Sequence, residues 1–265
     1  MSNEDIARQL ISLRLDNEIE LKESIIKKLR MVFHELCALG YTGAITPLDF
    51  QFNKLNSKEE INHIIDDFVA WLYEQELVVC NETIKEVSDT YDTPIPFLAE
   101  DYINDEFYEK TLKERIRIYS NRFKYEVEAW IASGLLLGMT TAGLESEFET
   151  FMYKPYNNPT FVRASLKKGV KATRLASGGK SYGVGKYVSS ISSLVRLARA
   201  TVADTFRRAQ FYSFKEMGIT GFYVYRGSSY PCSLCDSMVG FHDFKYAELP
   251  PYHNNCVCYA VPLIL

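Results

Sequence analysis

Four of the six cysteines fall within the last 34 residues, and their spacing has the form of a metal site. Cys232 and Cys235 make a C-x2-C pair, followed by His253, Cys256 and Cys258 in the layout C-x2-C-x17-H-x2-C-x-C. One tight turn lets a C-x2-C pair present two thiolates to a single ion, and a second ligand group about 20 residues later completes a tetrahedral zinc site. Cys256 and Cys258 are expected on a strand, where alternate side chains share a face. Five candidates compete for four positions. The expected ligands are Cys232, Cys235, His253 and Cys256, with Cys258 as the alternative. A thiolate-rich set favours a closed structural zinc over a catalytic one. Two plainer readings stand beside it: the cysteines pair as disulfides, or they pack as reduced, small apolar groups. Cys37 and Cys80 lie on apolar helix faces and read as core.

Other chemistry finds no support. Gly179-Lys180-Ser181 resembles the end of a phosphate loop, but the residue five places earlier is Arg174 rather than Gly. Gly183 and Gly185 lack the third glycine of a dinucleotide fingerprint, because position 188 is Val. No H-E-x-x-H, G-x-S-x-G or paired-carboxylate pattern occurs. His34 and His63 sit within helices, away from any metal-spaced partner. His242, followed by Asp243, reads as an ordinary loop histidine, with support of the knuckle as the alternative. Glu145, Glu147 and Glu149 scatter around a helix and read as a solvated end. The sequence therefore predicts a protein without catalytic activity.

Charge is distributed unevenly. The whole chain carries a net −4, yet residues 1–110 hold 10 basic and 23 acidic side chains, whereas residues 161–210 hold 11 basic residues and one acid, Asp204. A basic block of that density suits a polyanion or an acidic protein partner, or docking on the chain's own acidic part. The candidate contacts are Lys167, Lys168, Lys171, Arg174, Lys180 and Lys186, and then Arg196, Arg199, Arg207 and Arg208. Basic–aromatic interleaving is confined to pieces such as Lys180-Ser-Tyr182, too little for a stacking platform on nucleic acid. The uncharged run from Ala129 to Leu144 has 16 residues and falls short of a membrane span. The start, Met-Ser-Asn-Glu-Asp, has no basic stretch followed by an apolar run, so a cytosolic, reducing setting is expected.

These residues must be held by elements that are mostly helical. Apolar positions recur at helical spacing from Ile6 to Phe33, and again from Ile61 to Leu72 behind a possible Ser57–Glu60 capping box. Pro94 and Pro96 mark a linker over 87–98. A second long helix is expected from about Asp101 to Ser133, a turn or close crossing at Gly134–Gly138, and a shorter helix from Thr141 to Tyr153. Residues 154–190 combine Pro155, Pro159, five glycines and most of the basic block, which reads as an extended arm. Helical spacing returns from Ser190 and ends at Gly218. Phe222–Tyr225 and Cys256–Val261 alternate like two short strands. The expected fold is mainly α, an α+β chain with a small β-containing Cys/His knuckle at its C-terminal end. Its expected regions are an acidic helical one (1–90), a long helix with a helical hairpin (100–153), the basic arm (154–190) and a helix-plus-knuckle module (191–265).

The C-terminal third resembles the phage Mu F-type minor head proteins, also called head morphogenesis proteins. The resemblance lies in Leu197-Ala-Arg-Ala-Thr201, Gly218 to Tyr225, Cys232-Ser-Leu-Cys235, Gly240 and Leu249-Pro-Pro-Tyr-His-Asn-Asn-Cys-Val-Cys258. It covers roughly 190–262, under a third of the chain. Val257 stands where the family usually has Arg, Arg226-Gly-Ser-Ser-Tyr230 where it often has an acid, and the Glu that closes its helix-start motif is missing. The resemblance implies a structural protein of the virion that associates with the portal protein or the major capsid protein. Such a protein supports head assembly or genome delivery, meets packaged DNA through its basic arm, and enters no membrane. It would reside at the capsid interior or portal vertex, and in the host cytoplasm during assembly. Two other readings are a zinc-knuckle nuclease using His253 or His242, and a DNA-binding regulator using the Arg-bearing helix.

Overall fold

A computed structural model of the chain describes residues 2–42, 50–105, 109–153, 158–162, 189–253 and 255–263. The first apolar stripe is the buried side of one helix, α1 (Asn3–Thr42), with Leu10, Ile25, Leu29, Phe33 and Leu36 inaccessible or nearly so. A single turn of 3-10 helix at Phe52–Lys54 precedes α2 (Lys58–Tyr91). Helix α2 opens one residue after Ser57, whose carbonyl accepts from the Ile61 N–H. It runs four residues past the expected start of the linker, because Cys80, Ile84 and Val87 continue the buried stripe at i, i+4 and i+7.

The helix expected over 101–133 is instead broken. A short α3 (Glu100–Ile103) is followed by α4 (Leu112–Leu136). Thr111 and Glu114 form a complete capping box that starts α4: the Thr111 hydroxyl accepts from the Glu114 N–H, and the Glu114 carboxylate accepts from the Thr111 N–H. The stretch 141–153 likewise divides into α5 (Thr141–Ser146) and α6 (Phe148–Tyr153). Gly134 makes the close crossing expected of it. A Cβ there would lie 2.4 Å from the Leu144 side chain, so the missing side chain is what lets α5 pack against α4. Of the arm expected over 154–190, residues 154–157 and 163–188 lie outside the described residues, and 159–162 are helical.

Helix α7 (Ser190–Glu216) ends in a Schellman motif. Gly218 adopts φ +68°, its N–H donates to the Lys215 carbonyl, and the Ile219 N–H donates to the Phe214 carbonyl. Behind it lie β1 (Gly221–Tyr225), the one-turn helix α8 (Ser233–Ser237), β2 (Gly240–Asp243) and β3 (Tyr259–Pro262). The strands form an antiparallel sheet in the order β2-β1-β3, with Tyr223 opposite Phe241 on one side and Val261 on the other. The fold is thus mainly α with a small sheet near the C-terminus, the α+β class the sequence predicts. Strand β2 was not anticipated, and β3 begins at Tyr259, after the cysteines rather than under them.

Two compact units are present, each drawn from separated segments. One comprises residues 1–22, 74–105 and 198–265, and the other residues 23–73 and 106–197. The core of the second is aromatic: Phe33 lies 5.1 Å from both Phe148 and Phe151, and Trp130 lies 5.5 Å from Phe151 and 5.9 Å from Phe161. In the first unit the sheet packs Phe222, Val224 and Ala260 against Phe214, Ile219 and Leu249, with Cys235, Cys256 and Cys258 inside the same cluster. No helix among the described residues is long and apolar enough to cross a membrane.

Candidate metal centre

The C-x2-C pair is presented by α8. Cys232 is the extended N-cap residue and Cys235 lies in the single turn that follows, so both sulfurs face one side of the turn. Arg226, just past β1, ties this segment down by donating to the Asp236 carboxylate and the Tyr230 carbonyl. Gly227 lets the loop reach the other ligand segment. A Cβ at this position would stand 1.9 Å from the Val257 carbonyl oxygen, between the last two cysteines, so only glycine fits.

The second segment is a turn rather than a strand. The Cys256 N–H donates to the His253 carbonyl at 2.8 Å, and the Asn255 N–H donates to His253 Nδ1 at 3.3 Å. These contacts aim Nε2 at the first pair, 3.3 Å from Cys232 Sγ and 3.1 Å from Cys235 Sγ. Cys235 and Cys256 sulfurs are 3.7 Å apart. Four ligands around a tetrahedral zinc with Zn–S bonds near 2.3 Å stand about 3.8 Å from one another, so these separations suit a shared ion. Two triads result, Cys232–Cys235–His253 and Cys235–Cys256–Cys258, each with its ligand atoms within 4.8 Å of one another. Cys235 belongs to both. All five candidates therefore converge, and the cluster could bind a metal. Cys256 and Cys258 are buried and Val257 between them is less so, which preserves the alternation expected of a strand. The cysteines are free thiols, and Cys37 and Cys80 sit buried elsewhere, as expected of core residues.

The ligands differ in their readiness to ionise. Hydrogen bonds from the backbone and thiol of Cys235 hold the Cys232 thiol below its ordinary range. Burial pushes the thiols of Cys235 and Cys258 up, and burial with the Arg226 charge nearby lowers the His253 imidazole. A metal ion held here would have to displace the protons of the buried thiols.

Buried charges that motif spacing does not single out lie beside the cluster. Arg14 and Glu18 occupy the apolar stripe of α1 between Ile11 and Leu21, each with its side chain only 2% exposed. Arg14 Nη2 donates to the Cys256 carbonyl at 2.6 Å, and its Nε lies 3.3 Å from Glu18. Arg199 joins the network, with Nε 3.0 Å from Glu18 and Nη1 2.9 Å from the Asn255 side chain. The signal was present: charges at i and i+4 inside an otherwise apolar helical stripe.

The other candidate cations are placed as follows. Arg207 and Arg208 both pair with Asp204, at 2.5 and 2.8 Å, and Arg208 lies over the Tyr102 ring. Arg196 is half-buried on α7. Lys167, Lys168, Lys171, Arg174, Lys180 and Lys186 lie outside the described residues. His242 stands on β2, stacked on Phe222 with Nε2 2.8 Å from the Met238 carbonyl, and supports the sheet. His34 and His63 pair with Glu145 and Asp67. Comparison of the chain with protein-family models, with curated proteins and with solved structures found no match in any of the three.

Proposed function

We propose that the chain is a structural minor head protein of a tailed phage or prophage, with its C-terminal module closed by a structural zinc. The observation that carries this reading is the convergence of Cys232, Cys235, His253, Cys256 and Cys258 on one cluster, in a segment whose Leu249–Cys258 motif resembles the Mu F-type family. A zinc ion in this cluster would cross-link the α8 turn to the His253–Cys258 turn, and so fix the C-terminal end of the chain as a rigid docking element. The ligands under this reading are Cys232, Cys235, His253 and Cys256, with Cys258 as the alternative fourth. Zinc fits the donor set because soft thiolates with one imidazole prefer it to the harder divalent ions.

The partners under this reading are the portal protein or the major capsid protein. Packaged DNA or an acidic surface meets the basic residues between 161 and 210. The protein works from the virion interior or portal vertex, after assembly in the host cytoplasm, and catalyses no reaction. The test is co-expression with a tailed-phage portal protein and major capsid protein, followed by purification, together with incubation of the zinc-loaded protein with plasmid DNA and Mg²⁺ or Mn²⁺. The expected result is co-purification with one of these partners and intact DNA. Metal-dependent cleavage that disappears in His253→Ala would replace this reading with that of a zinc-knuckle nuclease. Tight, sequence-selective DNA binding without a head partner would replace it with that of a regulator.

A further inference from the structure

The network that joins Arg14 and Glu18 of α1 to the partly exposed Arg199 of α7 carries a surplus positive charge beside the candidate metal site. Arg14 is inaccessible, its guanidinium lies 5.7 Å over the Phe206 ring, its Nε meets Glu18 as an ion pair, and its Nη1 has no hydrogen-bond partner among the described residues. Glu18 is shared between Arg14 and Arg199, so the three side chains together carry one net positive charge. An isolated buried cation is costly unless an opposite charge faces it. The remaining neighbours are the Cys256 carbonyl, 2.6 Å from Nη2, and beyond it the Cys256 and Cys258 thiols. A divalent ion held by three thiolates and one imidazole carries net −1, and one held by four thiolates carries net −2. Loading the cluster would set a negative charge opposite the surplus positive charge of this network, across the Arg14–Cys256 contact.

We infer that Arg14 is a positioning residue for the metal centre: from α1 it braces the Cys256 carbonyl and supplies the buried positive charge that balances a thiolate-bound ion. This inference rests on the reading of the cluster as a metal site. Its consequence is that metal affinity and the seating of the first turns of α1 are linked, since each stabilises the other. A ligand segment near the C-terminal end thus answers to a side chain 242 positions earlier in the chain.

The experiment uses the full chain, stripped of metal under reducing conditions, with Zn²⁺ affinity read by competition against a chromophoric chelator. Arg14→Met preserves length and apolar stem, and Glu18 keeps Arg199 as its partner. The metal-free variant is expected to melt lower than the metal-free wild type, since removing one partner of a buried pair leaves Glu18 with Arg199 alone, so its folding is checked before zinc is added. Its zinc affinity is expected to fall about tenfold or more, the usual scale for groups that support metal ligands. Arg14→Lys keeps the charge and recovers part of the loss. Glu18→Gln removes the negative charge that offsets Arg14 and is expected to bind zinc at least as tightly as the wild type. A purely structural role predicts instead that Glu18→Gln weakens binding along with Arg14→Met. Equal affinity in Arg14→Met and wild type overturns the inference, and so does weakened binding in Glu18→Gln, which remains decisive if Arg14→Met fails to fold. A wild-type protein that takes up no zinc overturns the metal reading itself, and is recognised before any variant is compared.

Discussion

The aromatic core around Phe151 and the knuckle around Cys235 solve the same problem with different means. Around Phe151, rings from α1, α4 and α6 lie 5 to 6 Å from one another, and each large ring buried contributes roughly 1.5–3 kcal/mol. The knuckle has strands of only four or five residues, and three of the nine residues in its buried cluster are cysteines. Short strands around so little apolar volume are marginal unless cross-linked. Burial holds one region, and ligand convergence is available to hold the other. The two should therefore respond in opposite ways to metal and to loss of apolar volume.

The largest expected effect is metal removal. Chelation under reducing conditions should release folding free energy on the order of 10 kcal/mol at the knuckle, the scale of small thiolate zinc modules. Hydrogen exchange should then accelerate in β1, β2 and β3 while α4 stays protected; equal protection in all of them breaks the comparison. Cys235→Ser, which removes the residue common to both ligand triads, should reproduce this loss, whereas Cys37→Ser should leave zinc content unchanged.

Next in size is Phe151→Ala, expected to cost about 3–5 kcal/mol by chemical denaturation while zinc content stays that of wild type. Loss of zinc in this variant would show that the two regions are not separately stabilised.

A smaller effect follows pH. Thiolate ligands compete with protons, so each proton displaced weakens zinc binding by about 1.4 kcal/mol per pH unit as pH falls. His253 acts in the same direction. Its imidazole is held below the ordinary 6.5, so the unfolded chain takes up the proton first. Its contribution is complete above about pH 6.5 and is lost as pH falls below that value. Zinc retention measured from pH 7.5 to 5.5 should decline, and retention that rises toward acid contradicts the ligand assignment.

The smallest is Thr111→Ala, which removes the α4 capping box at a cost of about 1 kcal/mol, read as a lower thermal midpoint with unchanged zinc.

The long helices were legible because their apolar positions repeat with the helical period over many turns, and Gly218 marked the end of α7 through its need for a positive φ. The cysteine cluster was legible because metal spacing is local to each ligand segment. What sequence hid was of two kinds. The capping box of Thr111 and Glu114 sits inside an apolar stripe that continues on both sides, so periodicity read α3 and α4 as one helix. Strand β2 offers four residues beginning with Gly240, too few to show alternation, and is fixed by pairing with β1 instead. Arg14 and Glu18 signal their burial on α1, but nothing near them in sequence points to Cys256, because that contact exists only once the chain has folded.

The central claim is that one ion closes the Cys/His cluster, and metal analysis of the purified protein under reducing conditions tests it most directly. The account predicts about one zinc per chain, lost together in Cys235→Ser. Well under one zinc per chain in protein that is folded and reduced would contradict it.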